Sequence, residues 1–145
     1  MIDARITLNP QSFDWVWLAC DRDDRVAAFV TAGAGPIPTV VLESDLPVED
    51  AETLIRSLAA TTGARNLFSK GDATSFMDLA QRGVFVYDWQ DPYEHVAVPD
   101  TPVRVDSFPE ELAKLSRIVR LDNVSFADEK AIDMRLHTEC LWDYR

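Results

Sequence analysis

FDWVWLACDRDDRVAAFVT, Phe13 to Thr31, decides the fold class. Phe13 to Cys20 places apolar residues on both faces of an extended chain, the pattern of a strand covered on both sides. The polar run Asp21 to Arg25 interrupts it, and Val26 to Thr31 resumes with β-branched and aromatic residues. Two such runs across a five-residue connection predict a β-hairpin, although the connection contains no glycine.

Outward from the hairpin, Gly33 to Pro38 (GAGPIP) reads as a loop, and Thr39 to Leu42 as a short third strand. From Val48 the period changes. Val48, Ala51, Leu54, Ile55 and Leu58 share one helical face, with Pro47 at its start and Gly63 after its end. A second helix spans Asp72 to Arg82, capped by Asp72 and closed by Gly83. Val84 to Trp89 and Glu94 to Val98 read as strands. Ser107 and Glu110 have the spacing of a capping box, which predicts a helix over Phe108 to Arg117, and Ile118 to Leu121 reads as a strand after it. In Ile132 to Arg145 the apolar residues fall mostly on even positions, which predicts a strand; a helix through Ala131, Met134, Thr138, Leu141 and Trp142 is the rival. Strand pairs with helices between them, and no βαβ repeat, define an α+β domain: one unit over residues 1–145, a mainly antiparallel sheet with about three helices packed on one face.

The chain carries 25 Asp and Glu against 14 Lys and Arg, a net charge of -11. That balance opposes nucleic-acid phosphates and anionic lipid and favours a basic partner. No apolar run is long enough to span a membrane, and the N-terminus lacks the basic-then-apolar pattern of an export signal. A soluble cytoplasmic protein is the expectation. The two cysteines, Cys20 and Cys140, fit no metal or redox spacing and read as free, buried thiols, and His95 and His137 are too few and too isolated for a metal site. No cofactor is implied.

Two acidic stretches stand out. Glu43, Asp45, Glu49, Asp50 and Glu52 fall within ten residues with no base among them. Helix-dipole stabilisation accounts for the acids of the first helical turn but not for Glu43 and Asp45. Asp88 to Glu94 (DWQDPYE) sets Asp88, Asp91 and Glu94 around Trp89 and Tyr93, again without a base. Large aromatics in a charged loop suit a protein-binding surface, with Trp89 or Tyr93 as its desolvated centre; the alternative is that both cap the core edge. Arg135, His137 and Glu139 would share the wet face of the tail strand. They support a second reading, a small enzyme using His137 and Glu139 with Cys20 or Cys140. A self-associating assembly factor is a third.

FDWVWLACDRDDRVAAFVTAGAGPIP (Phe13 to Pro38) and VFVYDWQDPYEHVAVPD (Val84 to Asp100) together resemble a family of small acidic bacterial proteins, the immunity proteins of polymorphic toxin systems. The resemblance lies in a tryptophan-rich first hairpin and in Tyr-Asp-Trp leading through a turn to Val-Ala-x-Pro, and covers under a third of the chain. It implies a non-enzymatic cytoplasmic inhibitor that binds a cognate toxin domain and masks its active site or substrate surface. An acidic inhibitor of a basic toxin would gain steered association as well as contacts.

Overall fold

The computed structural model describes residues 15–141. Phe13 and Asp14 of the first expected strand and the last four residues of the expected tail strand lie outside the described residues. The hairpin forms as expected: β1 (Val16–Asp21) pairs antiparallel with β2 (Val26–Val30), Trp17 opposite Phe29. Its connection manages without glycine because Asp21 supplies the turn. Asp21 Oδ1 accepts the Asp23 and Arg25 backbone N–H groups at 2.9 and 3.0 Å, while Asp24 takes the left-handed conformation that aspartate tolerates, with φ 61°.

β3 is only Ile37–Pro38. Thr39–Leu42, expected as a strand, is instead a short helix, α1. β-Branching favours a strand there, but the helical turn buries Val41 and Leu42, and burial outweighs a propensity difference of a few tenths of a kcal/mol. A 3₁₀ turn (Val48–Asp50) leads into α2 (Ala51–Arg56), which stops well short of Gly63. Ser57 ends it by donating its hydroxyl to the Leu54 carbonyl. β4 (Ala64–Asn66) had no sequence signal; three mostly exposed residues are too few to show a period.

α3 (Thr74–Ala80) follows Asp72, whose Oδ1 accepts from the Thr74 backbone N–H at 2.9 Å and from its hydroxyl. It ends before Gly83, which has φ 95°. β5 (Phe85–Trp89) and β6 (Tyr93–Pro99) form the second hairpin. α4 (Glu110–Ser116) starts later than expected, and no capping box forms. Pro109 excludes Phe108 from helical geometry, leaving it extended, and Ser107 donates to the Arg104 carbonyl instead.

β7 (Arg120–Leu121) completes the run after α4. The tail is neither the expected strand nor the rival helix. It breaks into β8 (Ala131–Ile132), a 3₁₀ turn (Met134–Leu136) and β9 (Cys140–Leu141). Asp133 causes the break, its side chain accepting the Arg135 backbone N–H and nucleating the turn.

The strands order as β4-β6-β5-β2-β1-β7, with β8 also on β6 and a separate β3-β9 pair. Most pairings are antiparallel, but β2 and β5 at the centre run parallel, joined by a crossover through α1 to α3. The sheet has one aromatic face. Trp17, Phe29, Tyr87 and His95 stand in register across four strands, with ring centroids 4.4 Å (Trp17–Phe29), 4.9 Å (Phe29–Tyr87) and 4.4 Å (Tyr87–His95) apart. Phe126, on the segment after β7, covers this row edge-on. On the other side Leu18 meets Val48 and Ala51 of the α2 region and Leu115 of α4. Among the described residues no helix is long and apolar enough to cross a membrane.

Candidate functional site

Strand register brings the β5–β6 turn to the end of the sheet where Glu49 and Glu52 lie beside Val16. Val16, Val30, Asp88 and Glu94 are successive partners across β1, β2, β5 and β6. Val16 and Asp88 are two strand spacings apart, roughly 10 Å. At the Val16 edge, Glu49 and Glu52 border a hollow of about 110 Å³ with Trp15 and Val16. At the other edge the β5–β6 turn carries Trp89 and Asp91. Trp15 was not among the residues singled out from the sequence. The signal was its position two residues before Trp17, just ahead of β1.

The seven expected binding residues fare unequally. Tyr93 is core: fully buried, it donates its hydroxyl to the Pro36 carbonyl at 2.8 Å and accepts Trp17 Nε1–H at 3.4 Å. It cannot be a docking contact, and acts instead as the wall on which the half-buried Trp89 rests, with centroids 5.2 Å apart. Asp88 is only 7% exposed and accepts Gln90 Nε2–H at 2.7 Å, so it shapes the turn rather than facing outward. Asp91 and Glu94 are exposed, as are Glu43 and Asp45. The loop is also not free of bases in space, because Lys70 donates to Gln90 Oε1 at 2.6 Å.

Ion pairing separates the two ends of the molecule. Around the β1–β2 turn, Arg104 pairs with Asp24 and Asp106, Arg120 with Asp24 and Asp122, and Arg22 with Asp23 and Asp128. The Arg120 hydrogen bond holds the Asp24 carboxyl below the usual range. By contrast Glu43, Asp45, Glu49 and Asp50 are exposed and make no ion pair among the described residues. These four form the densest run of such acids in the sequence; Asp72, Asp91, Glu94, Asp100, Glu111, Glu129 and Glu139 are likewise exposed and without an ion pair among the described residues.

Neither cysteine of the second reading is exposed. Cys20 is fully buried and its thiol is pushed up by burial; Cys140, half-buried, is pushed up to about 11 by the same cause. Both thiols donate weakly to backbone carbonyls, of Val119 and Thr138. His137 is exposed in the turn after Met134–Leu136, so the shared strand face expected for Arg135, His137 and Glu139 does not exist. Among the described residues no three His, Cys, Asp or Glu side chains gather as metal ligands.

His95 is pushed down to about 4, first by burial and then by Arg65 and Lys130, with a hydrogen bond to the Phe126 backbone opposing. Its Nε2 is buried and has no hydrogen-bond partner among the described residues. The unfolded histidine protonates near 6.5, whereas the folded one stays neutral until about 4. Stability is thus undiminished above pH 6.5 and falls as the pH drops through that window. The full shift would correspond to roughly 3 kcal/mol, and screening at this partly open ring reduces it to about 1–2. Urea unfolding at pH 7 and 4.5 should show a loss larger by that amount in the wild type than in His95→Phe; equal losses would exclude His95 as the cause.

Comparison with protein-family models, curated proteins and solved structures gives no match to this chain.

Proposed function

We propose that this protein is a non-enzymatic, immunity-type inhibitor that binds a basic toxin domain and masks its active site or substrate surface. The observation that carries the reading is the set Glu43, Asp45, Glu49 and Asp50, exposed and without an ion pair among the described residues, of which Glu49 borders the sheet end that also presents Trp89. Unpaired surface carboxylates repel one another and lower stability slightly, so a basic surface that neutralises them recovers that cost on binding. A half-buried indole braced by a buried tyrosine loses little rotamer freedom when a partner covers it. The sequence resemblance to immunity proteins points the same way. Cytoplasmic location belongs to the same proposal.

The test uses a candidate basic toxin domain, sought first in the gene next to this one. Long-range attraction acts on encounter, so raising salt from about 20 to 150 mM should slow association by about tenfold or more and change dissociation much less. An association rate indifferent to salt would remove the electrostatic basis of the reading.

A further inference from the structure

We propose that the groove lined by Leu58, Arg82, Val103 and Phe108 is a binding site for a small organic carboxylate with an apolar body. The site is independent of the inhibitor function proposed above. The groove holds about 460 Å³, inside the roughly 300–1,000 Å³ range of small-molecule sites. At about 30 Å³ per water-sized group that is room for roughly fifteen heavy atoms. Its walls come from four parts of the chain: Leu58 beyond the end of α2, Arg82 beyond α3, Pro102 and Val103 after β6, and Phe108 just before α4. Phe108 belongs to the hydrophobic core, and Leu58 and Val103 pack against it, so the apolar walls are fixed before any ligand arrives.

Arg82 is the only charged residue among those lining the groove, and its side chain is just 16% exposed. Nε donates to the Leu58 carbonyl at 3.1 Å, and Nη1 donates to the Asp78 carbonyl and Oδ1 at 2.8 and 2.7 Å. Nη2 makes no hydrogen bond among the described residues. In a planar guanidinium one Nη2–H lies parallel to Nε–H, so it points the same way as the bond to Leu58, a wall of the groove. Nor is Nη2 sealed in: the buried side-chain nitrogen left without a hydrogen bond among the described residues is His95 Nε2. Asp78 is shared, its Oδ2 lying 2.6 Å from Arg56 Nη1, so Arg82 holds only part of that carboxylate. A ligand carboxylate fits the remaining donor while Leu58, Val103 and Phe108 take its apolar body. A singly charged head is favoured over a phosphate because one nitrogen is open and a net charge of -11 opposes a dianion twice as strongly.

Titration with octanoate, followed by the methyl resonances of Leu58 and Val103, tests this, with 1-octanol as the uncharged control and acetate as the head group alone. The methyl signals should shift saturably with octanoate, about tenfold more weakly with octanol, and not with acetate. Arg82→Gln should lower octanoate affinity to that of octanol and leave octanol binding unchanged. Because Arg82 also ties Leu58 to Asp78, that variant can lose stability, so a second one keeps the test open. Ala59→Trp changes an exposed residue of the groove outside any helix or strand, and should block both ligands while the protein stays folded. Octanol binding as tightly as octanoate would overturn the carboxylate. Unshifted Leu58 and Val103 methyls, or octanoate affinity unchanged in folded Ala59→Trp, would overturn the site.

Discussion

Replacing Asp21 by alanine should lower the unfolding free energy by about 3–4 kcal/mol. The carboxylate is fully buried, with Oδ1 accepting the Asp23 and Arg25 N–H groups and Oδ2 accepting the Phe126 N–H at 2.8 Å. It therefore ties the β1–β2 turn to the segment that roofs the aromatic face. Each charge-assisted bond is worth about 1.5–3 kcal/mol, but the turn amides can rehydrate when the carboxylate is gone, so the sum is not reached. Phe126 N–H is buried and cannot rehydrate, and its loss dominates. Asn, which keeps one acceptor oxygen, should cost roughly half as much. Asp23→Ala, at an exposed neighbour, should stay within about 0.5 kcal/mol. Denaturant unfolding of the three variants checks the ranking; an Asp21→Ala protein as stable as wild type would mean the carboxylate is not the tie.

Phe29→Ala should cost about 3–5 kcal/mol. Phe29 is fully buried at the middle of the aromatic row, stacked on Trp17 and Tyr87 and met edge-on by Tyr93 and Phe126. Four rings fixed in separate elements cannot collapse into the space it leaves, which places the cost at the upper part of the range. Leucine, filling most of that space, should cost about half or less. Calorimetric or denaturant unfolding measures both, and a cost below about 1 kcal/mol for alanine would show that the rings repack.

The strongest local signals translated directly into structure. The apolar runs on either side of Asp21 to Arg25 became the first hairpin, with both faces covered, and the helical spacing from Val48 and from Asp72 became α2 and α3, each with one buried face. The parallel contact of β2 with β5 left no trace in the sequence, since pairing between distant strands is decided by packing. The tail was misread because alternation in Ile132 to Leu141 is also satisfied by short pieces in different sheets, and Asp133 favours a turn more strongly than a continued strand.

The proposed binding surface was legible in part. Carboxylate density in Glu43 to Glu52 is visible in the sequence, but burial is not. Asp88 and Tyr93 look equivalent to Asp91 and Trp89 until the register turns them inward. Trp15 could not be joined to Glu49 from sequence, because thirty-odd residues and an entire hairpin separate them.

The measurement that bears most directly on the central claim is a titration of a candidate basic toxin domain from a neighbouring gene, assayed in its own reaction, with this protein. Activity should fall linearly and reach background near one equivalent, and Glu49→Gln and Trp89→Ala, both folded, should each need a clearly higher concentration to do the same. Undiminished activity of that domain in tenfold excess of the wild-type protein would contradict the account.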